Sequence, residues 1–190
     1  MNKYEVEDSQ KHITALWGKN GHGHYTRQEE IYMKYLKLIL PNFAGGKVIE
    51  VGPGTGKFAL MICQKYSISE YTILDIEKNI DDSKKTLESV NIPKKFIKSQ
   101  DYEQCFNNKY DLFVSNMCLS EVPEYYRNGI ADNIFGNCQN ILIIDGDNEN
   151  PSFNVWLKNK IGKSFDTVVK ETEYKSCIAV GGNIFKHHGI

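Results

Sequence analysis

Short β-branched runs alternate along the chain with longer stretches whose apolar residues follow a helical repeat, and this predicts an α/β domain. Thr26-Arg27-Gln28-Glu29 forms a capping box, in which the Thr26 hydroxyl and the Glu29 carboxylate satisfy each other's orphan backbone donors. The helix it opens runs through Ile31, Tyr32, Tyr35, Leu36, Leu38 and Ile39 and stops at Pro41. A strand through Val48-Ile49-Glu50-Val51 follows, then a helix from Lys57 to Tyr66, a strand from Tyr71 to Ile76, and a helix from about Ile80 to Val90. The short strand Lys95 to Ser99 and a fourth strand, Asp111 to Asn116, continue the alternation. Pro123 starts a helix through Ile130, Ile134 and Phe135, and Ile141-Leu142-Ile143-Ile144-Asp145 reads as a fully buried fifth strand. Pro151 opens a further helix reaching about Ile161, with Gly162 as its C-cap. Residues 1–25, polar and punctuated by Gly18, Gly21 and Gly23, read as a short helical lid segment over a single domain spanning residues 26–190.

Where the first strand meets its helix the chain reads Glu50-Val51-Gly52-Pro53-Gly54-Thr55-Gly56-Lys57. Glycines suit a place where the backbone turns sharply and must approach a ligand without a Cβ in the way, and the helix start that follows offers free N–H groups. The spacing narrows the ligand. A dinucleotide fingerprint G-x-G-x-x-G needs a third glycine for close helix–strand packing, and Lys57 stands there instead. The pattern E-x-G-x-G-x-G resembles motif I of the class I S-adenosylmethionine (SAM) dependent methyltransferases.

That resemblance implies a Rossmann-like, mostly parallel sheet of seven strands with helices on both faces and an N-terminal helical lid. Thr167-Val168-Val169 and Cys177-Ile178-Ala179-Val180 fit its terminal antiparallel pair. It also implies a cofactor, S-adenosyl-L-methionine, and a set of residues to hold it. Glu50, Gly52, Gly54 and Gly56 would shape the methionine end. Asp75, where the second strand closes on a carboxylate beside Ile76, would accept both ribose hydroxyls, since two oxygens can take two hydrogen bonds from a cis-diol. Asp101 stands at the family's adenine-binding acid, with the Tyr102 amide beside it for a ring nitrogen. Asn116 and Met117 follow the fourth strand, where the activated methyl group should point. Each of these positions also has a plain structural reading as a turn glycine, loop acid or strand-end hydrogen bond.

At 190 residues and 41% hydrophobic content the chain can bury one sizeable core. A formal net charge of -1 offers no broad cationic field for a phosphate backbone, which disfavours nucleic acid as a partner. No stretch approaches the roughly 18 apolar residues of a membrane span, and the N-terminus carries no apolar signal region. A cytoplasmic protein is expected. Cys63, Cys105, Cys118, Cys138 and Cys177 are scattered and lack C-x-x-C pairing, so they read as reduced thiols without a disulfide framework or zinc site.

Candidates for the acceptor side remain. Gly21-His22-Gly23-His24-Tyr25 is a glycine-flanked loop in which His22 or His24 could serve as general base and Tyr25 could contact the acceptor, imidazole titrating near neutrality. No third ligand of suitable spacing follows the two histidines, so no metal is expected. Ser115-Asn116-Met117-Cys118-Leu119-Ser120-Glu121-Val122 resembles the S-N-x-x-x-S-E segment of a bacterial family of sugar O-methyltransferases. Ser120 and Glu121 are candidates for acceptor recognition or proton removal, a reading to which that resemblance adds, and Asp145, in reach of the same strand-end crevice, is a candidate for acceptor binding or for the base. Ser120 and Glu121 read equally well as the cap and first-turn acid of a helix. An O-methyltransferase acting on a sugar or other small polar acceptor, in surface polysaccharide biosynthesis, is the expected function. A non-sugar acceptor such as a phosphoramidate, and a non-catalytic SAM-binding subunit, are the alternatives. The short N-terminal segment leaves little protein to build an acceptor pocket, which favours either a homodimer or the inactive alternative.

Overall fold

The computed structural model describes residues 32–37, 40–146, 151–161, 167–169 and 177–183. The predicted lid, its boundary with the domain at residue 25, the capping box and Gly162 lie outside them. Residues 32–37 are helical, and Tyr32 and Leu36 from this segment are buried against the sheet. The alternation of elements then follows the predicted order. Strand β1 (Gly45–Val51) leads to helix α1 (Lys57–Lys65), β2 (Ser67–Asp75), α2 (Glu77–Thr86) and β3 (Lys94–Lys98). A 3-10 stretch (Ser99–Cys105) precedes β4 (Tyr110–Asn116), α3 (Glu124–Asn133) and β5 (Cys138–Gly146), after which comes α4 (Pro151–Ile161).

Five strands form a parallel sheet in the order β3-β2-β1-β4-β5. Beyond it, Cys177–Asn183 pairs antiparallel with β5, and Thr167–Val169 pairs antiparallel with that strand in turn. The strand order reverses between β1 and β4, so the crevice at their carboxyl ends is the topological switch point at which open α/β sheets bind ligands. Both faces of the sheet are covered, which explains why β5 is apolar at every position from Ile141 to Ile144. Successive side chains point to opposite faces. Leu142 and Ile144 join Val48, Leu112 and Val114 under the segment 32–37 and α1. Ile141 and Ile143 join Ile49, Phe113, Ile130 and Phe153 under α3 and α4.

Three of the boundaries that differ from the expected ones have a visible cause. β2 begins four residues earlier, at Ser67, because Ser67 and Ile68 already pair with Gly45 and Gly46 ahead of a register shift. α2 stops at Thr86 although Leu87 and Val90 extend its apolar spacing, since Lys94 Nζ donates to the carbonyls of both and the chain needs no further helical turn. α3 ends at Asn133, and Ile134 and Phe135 bury themselves through a short 3-10 turn.

Candidate functional site

The glycine turn after β1 is held from three sides. Gly52 (φ 72°) donates its N–H to the Leu74 carbonyl at 2.9 Å, and a Cβ at this position would lie 2.3 Å from Cys118 Sγ. Only glycine allows the post-β4 loop to approach so closely. Gly54 (φ 58°) donates to Asp75 Oδ2 at 3.1 Å, while its carbonyl accepts from Ser83 Oγ at 3.1 Å and that of Thr55 from Thr86 Oγ1 at 2.6 Å. A Cβ built on Gly54 would meet nothing within 4 Å. The turn is therefore rigid, and open space lies above its middle glycine.

Asp75 closes β2 beside this turn. It is 8% exposed, and its carboxylate also accepts from the Ile76 N–H at 2.7 Å and from Asn79 Nδ2 at 3.1 Å. Burial pushes its pKa up to about 6, and the hydrogen bonds from Ile76, Gly54 and Asn79 pull in the opposite direction. Ile76 itself is the N-cap residue of α2, one position past the strand it was expected to end.

Glu50 sits under the crevice, 1% exposed, accepting from the Tyr71 hydroxyl at 2.8 Å and from Asn116 Nδ2 at 3.4 Å. Burial and the neighbouring Glu50 keep the Tyr71 phenol well above its ordinary range, so it remains a donor. With its amide turned toward Glu50, Asn116 is left with a buried Oδ1 that has no hydrogen-bond partner. A buried orphan acceptor at a strand end calls for a donor from a ligand or water. Met117, next in the chain, adopts φ 50° and donates its N–H to the Ile144 carbonyl at 2.7 Å. Backbone strain of this kind concentrates at functional sites.

Beyond Met117 the chain makes a turn rather than a helix start. α3 begins at Glu124 with Pro123 in the N-cap position, so Ser120 and Glu121 are neither its cap nor its first turn. Ser120 instead donates its N–H to Asp145 Oδ2 at 2.9 Å and its hydroxyl to Asp145 Oδ1. Glu121 is exposed on the same turn.

A cleft at the carboxyl ends of β1 and β2 is walled by Val51, Gly52, Leu74, Asp75, Ile76, Ser99, Cys118, Val122 and Tyr126. Asp101 and Tyr102 are not among its walls. Asp101 is exposed within the 3-10 stretch, and the Tyr102 ring packs on Tyr126 and Phe106, with centroids 4.7 and 5.4 Å away. Ser99, Cys118, Val122 and Tyr126 went unnoticed as wall residues in the sequence. For Tyr126 a signal existed, an aromatic residue three positions after the helix-starting Pro123. Burial, followed by the charges of Asp75 and Asp145, holds the Cys118 thiol well above its ordinary range, so it is a neutral wall of the cleft. His22, His24 and Tyr25 lie outside the described residues. Among the described residues no group of three or more histidine, cysteine or acidic side chains could hold a metal ion, and no helix is long and apolar enough to cross a membrane.

Residues 31–173 match the family described as the methyltransferase small domain. The chain belongs to that family. This methyltransferase matches no curated protein by sequence, and its likeness to solved structures is one of fold. The N-methyltransferase NodS from Bradyrhizobium japonicum WM9, in complex with S-adenosyl-l-homocysteine (SAH), superposes with a TM-score of 0.61 at 14% identity over 80% of this chain and 84% of its own. The DhpI–SAH complex gives 0.63 at 11% identity, covering 95% and 97% of the two chains. The mitomycin 7-O-methyltransferase MmcR gives 0.63 at 12% identity, covering 85% and 54%. The enzyme is a SAM-dependent methyltransferase, and S-adenosyl-L-methionine is its cofactor. The open space over Gly54, the buried carboxylate of Asp75 beside it and the orphan Asn116 Oδ1 fit a ligand that carries hydroxyl and amino donors.

Proposed function

We propose that the acceptor atom is an oxygen, a hydroxyl of a sugar or other small polar molecule, methylated in surface polysaccharide biosynthesis. The observation that supports this reading is the turn after β4, where Ser120 is tied to β5 and Glu121 stands exposed beside the crevice. The cofactor supplies a methyl group already activated on a sulfonium. What remains for the chain is to hold both partners, exclude water and take a proton from the acceptor. Asp75 holds the ribose hydroxyls, while Glu50 and the glycine turn hold the methionine end, with Asn116 and Met117 flanking the methyl position. Asp101 and the Tyr102 amide reach the adenine from the 3-10 stretch once the cleft is filled. An alcohol is a poor nucleophile, and a positioned base contributes typically about 10²–10⁴-fold. Glu121 and the histidines of the His22-Gly23-His24-Tyr25 loop are the groups for that role, with residues 1–25 closing as a lid over the seven-stranded class I sheet.

Neighbours of the same fold are described as acting on nitrogen and on oxygen, so the fold does not choose the acceptor. Screening nucleotide sugars and their polymers with methyl-labelled SAM and the purified chain tests the reading. Label on a sugar hydroxyl is the expected result. Label only on a phosphoramidate or an amine, or none with any acceptor until a partner subunit is added, would replace it.

A further inference from the structure

The carboxylate of Asp145 is wholly buried at the end of β5, and both of its oxygens are engaged by one residue 25 positions earlier in the chain. A buried charge is costly unless it is well hydrogen-bonded, and here a backbone N–H and a hydroxyl supply charge-assisted bonds. A general base must come within about 2.6–3.2 Å of the proton it removes. Asp145 faces the loop instead. Its bonds are part of a larger arrangement. The turn is pinned at its root by Met117 N–H to the Ile144 carbonyl at 2.7 Å, and it closes on itself through Glu121 N–H and Val122 N–H to the Cys118 carbonyl at 3.0 and 3.3 Å. On its far side Cys118 is packed against Gly52 so closely that no Cβ fits between them. One short turn therefore spans the distance from β5 to the glycine turn, and two of its residues, Cys118 and Val122, are walls of the cleft at the carboxyl ends of β1 and β2.

We infer that Asp145 is a positioning residue of this methyltransferase. Through Ser120 it fixes the post-β4 turn, and so the wall formed by Cys118 and Val122 and the station of Glu121. It neither touches the acceptor nor takes its proton. The geometry asks for two acceptor or donor points at a fixed place rather than for negative charge as such. Asparagine can meet it, since its Oδ1 can accept the Ser120 N–H and its amide can donate to the Ser120 hydroxyl. Alanine and leucine cannot.

Calorimetry with SAH and amide hydrogen exchange on the full chain test the role without any acceptor. Asp145→Ala is expected to speed exchange across residues 117–122 and to weaken SAH about tenfold. Asp145→Asn is expected to keep both within about twofold of the parent. A base with no part in positioning would leave both measurements unmoved in either variant. Ser120→Ala, which removes one bond and keeps the backbone donor, should give a change of the same kind and smaller, about threefold, and serves if Asp145→Ala does not fold. SAH affinity and exchange unchanged in a folded Asp145→Ala or in Ser120→Ala would overturn the inference. So would an Asp145→Asn as impaired as Asp145→Ala, which would point to charge instead of geometry.

Discussion

Asp75 is buried where it braces the glycine turn, while the role proposed for it asks for an ionised carboxylate that accepts two hydroxyls, and these demands pull its proton in opposite directions. Its pKa in the folded chain stands near 6, above the ordinary carboxylate value of about 3.9. The folded state therefore holds this proton more tightly than the unfolded chain. The resulting stabilisation is fully present below about pH 4 and is lost as pH rises through about 6. Cofactor affinity runs the other way, because hydroxyl donors favour the ionised form. SAH affinity should rise as pH increases through about 6 and level off above it, and Asp75→Asn should remove that inflection from the calorimetric profile. An equal contrast separates two glycines. Gly52→Ala would place a Cβ 2.3 Å from Cys118 Sγ, adding overpacking of about 1–3 kcal/mol to the roughly 1–2 kcal/mol of left-handed strain. Gly54→Ala carries the strain alone, in open space. Melting should fall further for Gly52→Ala, by roughly 2–4 °C per kcal/mol. Gly54→Val should retain its fold and lose SAH affinity. Asp75 and the glycines were legible because strand, turn and carboxylate follow one another in the chain. The bond from Ser120 to Asp145 was not, since only strand pairing of β4 with β5 brings residues 25 apart together.

Among the elements, α3 and α4 are joined by polar contacts that periodicity does not foresee. Trp156 Nε1 donates to Asn128 Oδ1 at 2.7 Å, and the Arg127 guanidinium lies 5.7 and 5.2 Å from the Phe153 and Trp156 ring centroids. Trp156→Phe keeps an aromatic ring and removes the donor, which should lower stability by about 0.5–1.5 kcal/mol in a denaturant titration and leave SAH affinity unchanged. A loss of cofactor binding in that variant would mean that α4 reaches the cleft. Element types were legible from their periods, while ends shifted where a side chain did the work of a turn. Lys94 caps the carbonyls of Leu87 and Val90, seven and four residues before it in the chain, and the apolar period running through Val90 does not announce it. Pro123 marked a helix start correctly, but placed Ser120 and Glu121 outside the helix they precede.

At the scale of the molecule, the parallel order β3-β2-β1-β4-β5 brings four separated stretches to the carboxyl end of one sheet: the glycine turn, Asp75, Asn116 with its turn, and Asp145. The strand ends and their spacing made the order of the elements and the place of the crevice readable. The acceptor side depends on how loops from different strands meet, for which a single chain carries no period. Calorimetric titration of SAH and of NAD into the parent and into Asp75→Ala tests the central claim most directly. SAH should bind the parent and NAD should not. Asp75→Ala should weaken SAH by about 1.5–3 kcal/mol, roughly ten- to a hundredfold, with the fold retained. NAD binding without SAH binding, or SAH affinity unchanged in a folded Asp75→Ala, would contradict the assignment of the crevice.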